Sequence, residues 1–380
     1  MSQSKYLDPL TKITQKYNEA LKENQQLKLE LESLKKLLDQ STTNPIPNPT
    51  NQPSEKLTKK SSRIFPKPKI IINWDQLPIE FPDSILCVDV IDSDTLAFGC
   101  VDSSIILYSI SNKQQKSTVL GHKGAVNSIV FDPTIDLFAS CAGNGNIYIW
   151  SNQDAMFFKS RRSSFSESSH SSITINTTLS HHSKPVMDAR WLNQDGHIIS
   201  GSKDKQICLW DVSHSSSCVH SEVVKSYAMS LDYNKNSNIP IICGLVDNEI
   251  LLIDHRSQFI QNSISAHQKG KVTQTQFISD NLFASGGTDS VICVWDIRNY
   301  DEPVKQISID RVPTKFDISG NKFIIPCEIG RLRTLELEQE LIEIIDGSPF
   351  IYTISETKFL NSDNSFVAVS WDGTAAIGKF

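Results

Sequence analysis

Three times along the chain a histidine, a serine, an acid or amide and a tryptophan recur at one spacing: His122/Ser140/Asn144/Trp150, His182/Ser200/Asp204/Trp210 and His267/Ser285/Asp289/Trp295. Ser, His and Asp together are the parts of nucleophilic catalysis, with imidazole as base and carboxylate as its orienter. The repetition points to a different chemistry. A catalytic serine sits once, on a strained elbow of its own, and no such elbow motif is present. Copies at a fixed spacing, each ending in Trp, fit a hydrogen-bonded staple running from Trp through Ser and His to Asp. Such a buried chain is tolerable only when every member is paired. A Gly-rich phosphate loop and a metal-ligand cluster are also missing from the sequence, so it predicts a non-enzymatic chain without catalytic residue, cofactor or metal.

Each set belongs to a longer unit: two small or apolar residues, a short turn, then an apolar position and an aromatic or Leu. The clearest copies are Ala284–Asp296 and Ile199–Asp211, both ending in Trp-Asp. This pattern resembles the WD repeat. Aligned turn positions fall at Asp102, Asn144, Asp204, Asp247, Asp289, Ile329 and Asp372, with steps of 42, 60, 43, 42, 40 and 43 residues. A period near 42 with four short strands per unit is the signature of a β-propeller. The sequence therefore predicts an all-β fold, a seven-bladed WD-repeat β-propeller over residues 69–380. The last repeat runs through its third strand to Phe380, and Ile70–Trp74 is expected to supply the missing outer strand of blade seven, removing free edges.

The formal net charge is -6, which gives no electrostatic reason to expect nucleic-acid binding. No stretch is long and apolar enough for a transmembrane segment, and the polar start is not a secretory signal, so a cytoplasmic or nuclear location is expected. Of the 8 cysteines, Cys100, Cys141, Cys243 and Cys327 fall in second strands and Cys208 and Cys293 in third strands. They read as reduced core thiols, since no pair has zinc-ligand spacing with His partners.

Ahead of the propeller the period changes. Leu10, Ile13, Tyr17, Ala20, Asn24, Leu27, Leu31, Leu34 and Leu38 alternate steps of three and four, a heptad seam that predicts an α-helical coiled coil within residues 1–40. Asn24 alone at a core position favours a parallel homodimer by pairing with its symmetry mate. A Pro/Asn/Ser/Lys linker over 41–68 should be disordered. The long step between repeats two and three reads as a flexible insertion at about 151–180, where Arg161-Arg162-Ser163-Ser164 looks like a basophilic kinase site with Ser164 as acceptor.

Propellers bind mainly through loops at one end of the ring. Here those loops carry Lys123, Lys184, Lys203, Lys205, Lys225, Lys269, Lys271, Arg311 and Arg331, a candidate basic rim for acidic segments of partner proteins.

The arrangement resembles the WD repeat-containing protein 37 family. The resemblance rests on Glu30-Leu31-Glu32-Ser33-Leu34 before a Lys/Ser/Thr-rich linker, the polar insertion, Gly287–Asn299 with Pro303-Val304, the sixth repeat Lys322–Cys327, and the ending Ser370–Gly378. It implies a scaffold or adaptor of cytoplasm and nucleus that acts through protein-protein interaction, with relatives of the phosphofurin acidic cluster sorting proteins as possible partners. Repeat one lacks Gly-His and ends in Tyr108, repeat four has Ile253-Asp254, and repeat six lacks the turn acid. Two alternatives share parts of this plan. An autophagy-type coiled-coil/WD-propeller adaptor at membranes would need a separate binding helix ahead of the coiled coil, and five residues precede Tyr6. A phosphoinositide-binding propeller would need a Phe-Arg-Arg-Gly motif, which this sequence lacks.

Overall fold

The computed structural model describes residues 69–132, 134, 137–151, 175–192, 196–214, 216–257, 259–267, 270–360 and 365–380. The expected coiled coil of 1–40, the linker of 41–68 and Ser164 lie outside the described residues.

Within the described residues the strands form seven sheets, each running from an inner strand outward through two more to an outer one. Blade three shows the plan: Val186–Leu192, His197–Ser202, Gln206–Asp211 and Ser217–Val223, all antiparallel. The second and third strands of the repeats are apolar or small and nearly fully buried, as Leu137–Ala142 illustrates, because both sheet faces lie against neighbouring blades. Seven apolar clusters fill the seven interfaces between successive blades. The one joining blades seven and one packs Val367, Val369 and Ile377 against Leu96, Phe98 and Tyr108, so the ring is closed.

The closing run is divided between two blades. Asn73–Gln76 is the antiparallel outer strand of blade seven, along Ala375–Lys379, as expected. Lys69–Ile71 instead pairs in parallel with Leu341–Asp346, adding a fifth strand to blade six. Ile72 turns inward between them, 6% exposed, and Trp74 meets Phe350 and Phe366 edge-on, each at 5.6 Å. One outer strand spans one blade, so a run continuing along the rim must change sheets.

The expected insertion is also narrower than its bounds of 151–180. Ser151 ends the third strand of blade two, and Ile175–Ser180 is that blade's outer strand, paired with Asn146–Trp150. The extra chain therefore lies between the third and outer strands.

Candidate functional site

The repeated Trp, Ser and His side chains meet as the spacing suggests. In blade three Trp210 donates Nε1–H to Ser200 Oγ at 2.8 Å, Ser200 and His182 Nε2 are 2.8 Å apart, and His182 Nδ1 lies 2.9 Å from Asp204. In blade five Trp295, Ser285, His267 and Asp289 repeat this at 2.9, 2.9 and 3.0 Å. A carboxylate only accepts, so Nδ1 carries the imidazole proton and Ser donates to Nε2. Gly287 is required beside His267, because a Cβ there would collide with the ring.

Blade two departs from the expected four-membered chain. Trp150 donates to Ser140 and Ser140 reaches His122, both at 2.7 Å, but Asn144 turns to the Tyr148 hydroxyl at 3.1 Å. His122 Nδ1 is buried without a hydrogen-bond partner. Tyr148 occupies the position of Cys208 and Cys293 in the other two copies, and its ring lies 4.4 Å edge-on from His122, drawing the amide away. Burial alone pushes the His122 pKa down to about 4. His182 and His267 are also pushed down by burial, against the pull of Asp204 and Asp289. Ser140, Ser200 and Ser285 are fully buried under their tryptophans, so no substrate can reach the hydroxyls.

The turn after each second strand and the loop entering each inner strand share one end of the ring. In every blade the residue opening the turn donates its N–H to the incoming loop: Val101 to Ser84, Gly143 to Ala125, Lys203 to Pro185, Val246 to Tyr227, Thr288 to Lys271, Glu328 to Val312, and Trp371 to Thr353. The turn acids Asp102, Asp204, Asp289 and Asp372, and Asn144, each accept the amide two residues on. Blade six has Ile329 at this position, and it adopts a left-handed φ of 59°, an outlier for a β-branched residue.

Of the basic rim, Lys123, Lys184, Lys203, Lys205, Lys225, Lys271, Arg311 and Arg331 are all exposed, while Lys269 lies outside the described residues. Arg331 opens a third strand rather than lying in a loop. Lys225 pairs with Glu249 at 2.8 Å, an exposed contact that partly offsets its charge.

Two features were not found from the sequence. The first is an apolar arc over the loop ends of blades six and seven. Ile329, Ile351, Tyr352 and Trp371 are 61%, 76%, 62% and 52% exposed. They are contiguous: Phe350 abuts Gly330, the amides of Ile351 and Tyr352 both donate to Asp372, and Trp371 meets Ser84 through its carbonyl. Their scatter over two repeats hid the patch.

The second is a belt of acids on the inner strands. Phe131 N–H donates to Asp89, Leu231 to Asp188, Phe277 to Asp232, Phe359 to Asp317 and Val88 to Glu356, each bond crossing to the next blade. Burial pushes the Asp89, Asp232 and Glu356 carboxyls up. At Asp188 burial acts the same way but is outweighed, chiefly by Arg190 and Lys315, and the pKa is lowered. An acid in an otherwise apolar inner strand, as in Cys87-Val88-Asp89-Val90, was the signal available.

Seven blades of four strands, the sixth with a fifth added, closed by these turns and with staples in three of them, define a WD-repeat β-propeller, and residues 113–151, 173–211 and 258–296 each match the family of the WD domain, G-beta repeat. More particularly, the chain is similar to WD repeat-containing protein 37, being 24% identical to that of Xenopus laevis over 255 residues, which covers 60% of this chain and 51% of the relative. The human protein of that name is 24% identical over 283 residues, 67% of this chain and 57% of its own. Pre-mRNA-processing factor 19 homolog 2 of Arabidopsis thaliana is 24% identical over 293 residues, 75% and 52% of the two chains. The chain thus spans about half the length of these curated relatives. Among the described residues, no helix is long and apolar enough to cross a membrane.

Proposed function

We propose that this protein is a non-enzymatic scaffold that binds partner proteins across the loop end of its propeller, with the apolar arc as the anchor and the basic rim as a flank. The observation that carries this reading is the exposed Ile329/Ile351/Tyr352/Trp371 group held in place by Asp372. Clustered exposed aromatic and aliphatic side chains are where binding energy concentrates in interfaces. The strained Ile329 supports it: Asn or Asp would fit that backbone better, so an isoleucine there costs stability without serving the fold.

Bivalent presentation through the heptad seam of Leu10 to Leu38 completes the proposal, with two propellers per dimer. Similarity to WD repeat-containing protein 37 favours a partner with acidic segments, for which the phosphofurin acidic cluster sorting proteins are the candidates the resemblance supplies. Quantitative affinity capture with the wild-type chain, a Tyr352→Ala/Trp371→Ala variant, a Lys184→Glu/Lys271→Glu variant and a Val219→Ser control on an outer strand tests it. Specific partners should be lost with the first, weakened with the second and retained with the control. Retention by the first, with an unchanged melting temperature, would exclude the arc.

A further inference from the structure

Three metal-ligating side chains meet at the outer edge of the interface between blades two and three. His181 follows the outer strand of blade two, Cys208 lies in the third strand of blade three, and Cys218 lies in that blade's outer strand. Their ligand atoms all lie within 4.8 Å of one another. We propose that His181, Cys208 and Cys218 form a binding site for a thiophilic divalent metal ion, zinc by its chemistry, with water in the fourth position.

The strand register brings the two thiols to one face. Leu209 pairs with His220 but Trp210 pairs with Cys218, so Val219 is an extra residue on the outer strand. A regular ladder would set Cys218 opposite Asp211 and turn it away from Cys208. A one-residue shift reverses the facing of every later side chain, so the irregularity puts Cys218 on the side of Trp210 and Cys208. His181 is placed from the neighbouring blade, with its ring edge-on to Trp210 at 6.3 Å.

The donor set suits the ion. Two thiolates and a neutral imidazole balance a divalent charge, and this soft combination favours zinc over magnesium or calcium. Zinc bonds of about 2.0–2.3 Å place ligand atoms about 3.5 Å apart, so side-chain rotation of about 1 Å closes the site. His181 is exposed and Cys218 half-buried, which gives an ion a route from solvent, while Cys208 is fully buried behind them. The present thiol contacts are weak and replaceable: Cys218 donates to the His220 carbonyl at 3.1 Å, and Cys208 lies 3.9 Å from His182 Nδ1. Metal binding at such a site releases the thiol protons. The ligands come from three strands' worth of chain, which is why no short Cys/His motif announces them.

The full chain, reduced and kept anaerobic, is titrated with Co²⁺ and then Zn²⁺. A tetrahedral cobalt–thiolate spectrum saturating at one metal per chain, and displaced by zinc, is expected. Cys218→Ser and His181→Ala alter the two more accessible ligands, and apo melting temperatures verify that both fold. Each should weaken cobalt binding by more than the roughly 10–100-fold that loss of an outer-shell partner costs. Cys293→Ser, at the same strand position in blade five, should leave it unchanged. A folded wild-type chain without the thiolate band overturns the proposal, as does a band that survives in the Cys218→Ser/His181→Ala double variant. A Cys208–Cys218 disulfide in the isolated protein, with no cobalt uptake once reduced, overturns it equally.

Discussion

Lys315, ahead of the inner strand of blade six, donates a hydrogen bond at 3.0 Å to the backbone carbonyl of Asn127 in blade two, on the far side of the ring. Its Nζ also lies 3.8 Å from Glu356 of blade seven, whose carboxylate accepts the Val88 amide of blade one. A single lysine thus ties together blades that are distant in sequence, beside the bond that joins the two ends of the ring.

Lys315→Met should lower stability by about 3 kcal/mol, because it takes from the buried Glu356 the cation that acts on it most, leaving Lys358 and Arg190. Glu356→Gln keeps an acceptor for Val88 but takes away one of the two anions that act on Lys315, the other being Asp188, and should also destabilise. The double variant is expected to lose clearly less than the two single losses combined, as chemical denaturation would measure. Additive losses would show that the pair is not coupled.

The histidine of blade two should make the fold acid-sensitive. His122 titrates at about 4 when folded and about 6.5 when unfolded, so the unfolded chain takes up the proton first. Its contribution is complete above about pH 6.5 and declines as pH falls towards 4. Asn144→Asp combined with Tyr148→Cys gives Nδ1–H the acceptor found in the other two copies. The His122 pKa should then rise and the loss of melting temperature between pH 6.5 and 4 become shallower. An unchanged slope would show that His122 is not the responsible group.

Ring closure should depend on the inward residue of the closing run. Ile72→Asp places an unpaired carboxylate between blades six and seven and should cost at least about 3 kcal/mol. Ile71→Asp, one residue earlier and 89% exposed, should stay within about 0.5 kcal/mol of wild type. A truncation starting at Leu77 should lose the cooperative unfolding transition. Equal effects of the two Asp substitutions would contradict the division of the run between two blades.

The heptad seam predicts a dimer by light scattering for the full chain and a monomer for Asn24→Lys. A monomeric wild-type chain would remove bivalent presentation from the proposed function.

The fold was legible because blade periodicity runs along the chain: the turn positions and the buried second and third strands recur at similar offsets, five of the seven turns carry an Asp, and Trp-Asp ends the third strand of blades three and five. The sharing of Ile70 and Trp74 between two blades was not, since an apolar run does not reveal where it changes sheets. Asn144 and Asp204 look interchangeable in sequence, and only the neighbouring Tyr148 explains why the amide abandons its histidine. The candidate surface was the least legible part. Lysines in loops are conspicuous, whereas Ile329, Tyr352 and Trp371 become a patch only once the turn of one blade is set beside the loop of the next.

The proposed binding surface is tested most directly at Ile329. Ile329→Asn relieves a left-handed isoleucine and should raise stability by about 1 kcal/mol, because Asn tolerates that backbone. The same variant should capture less of the partners that the wild-type chain retains, when both are compared quantitatively at equal concentration. A more stable protein with weaker capture is the expected result. A more stable protein with undiminished capture would mean that the strained residue serves neither the fold nor binding, and would contradict the apolar arc as the anchor.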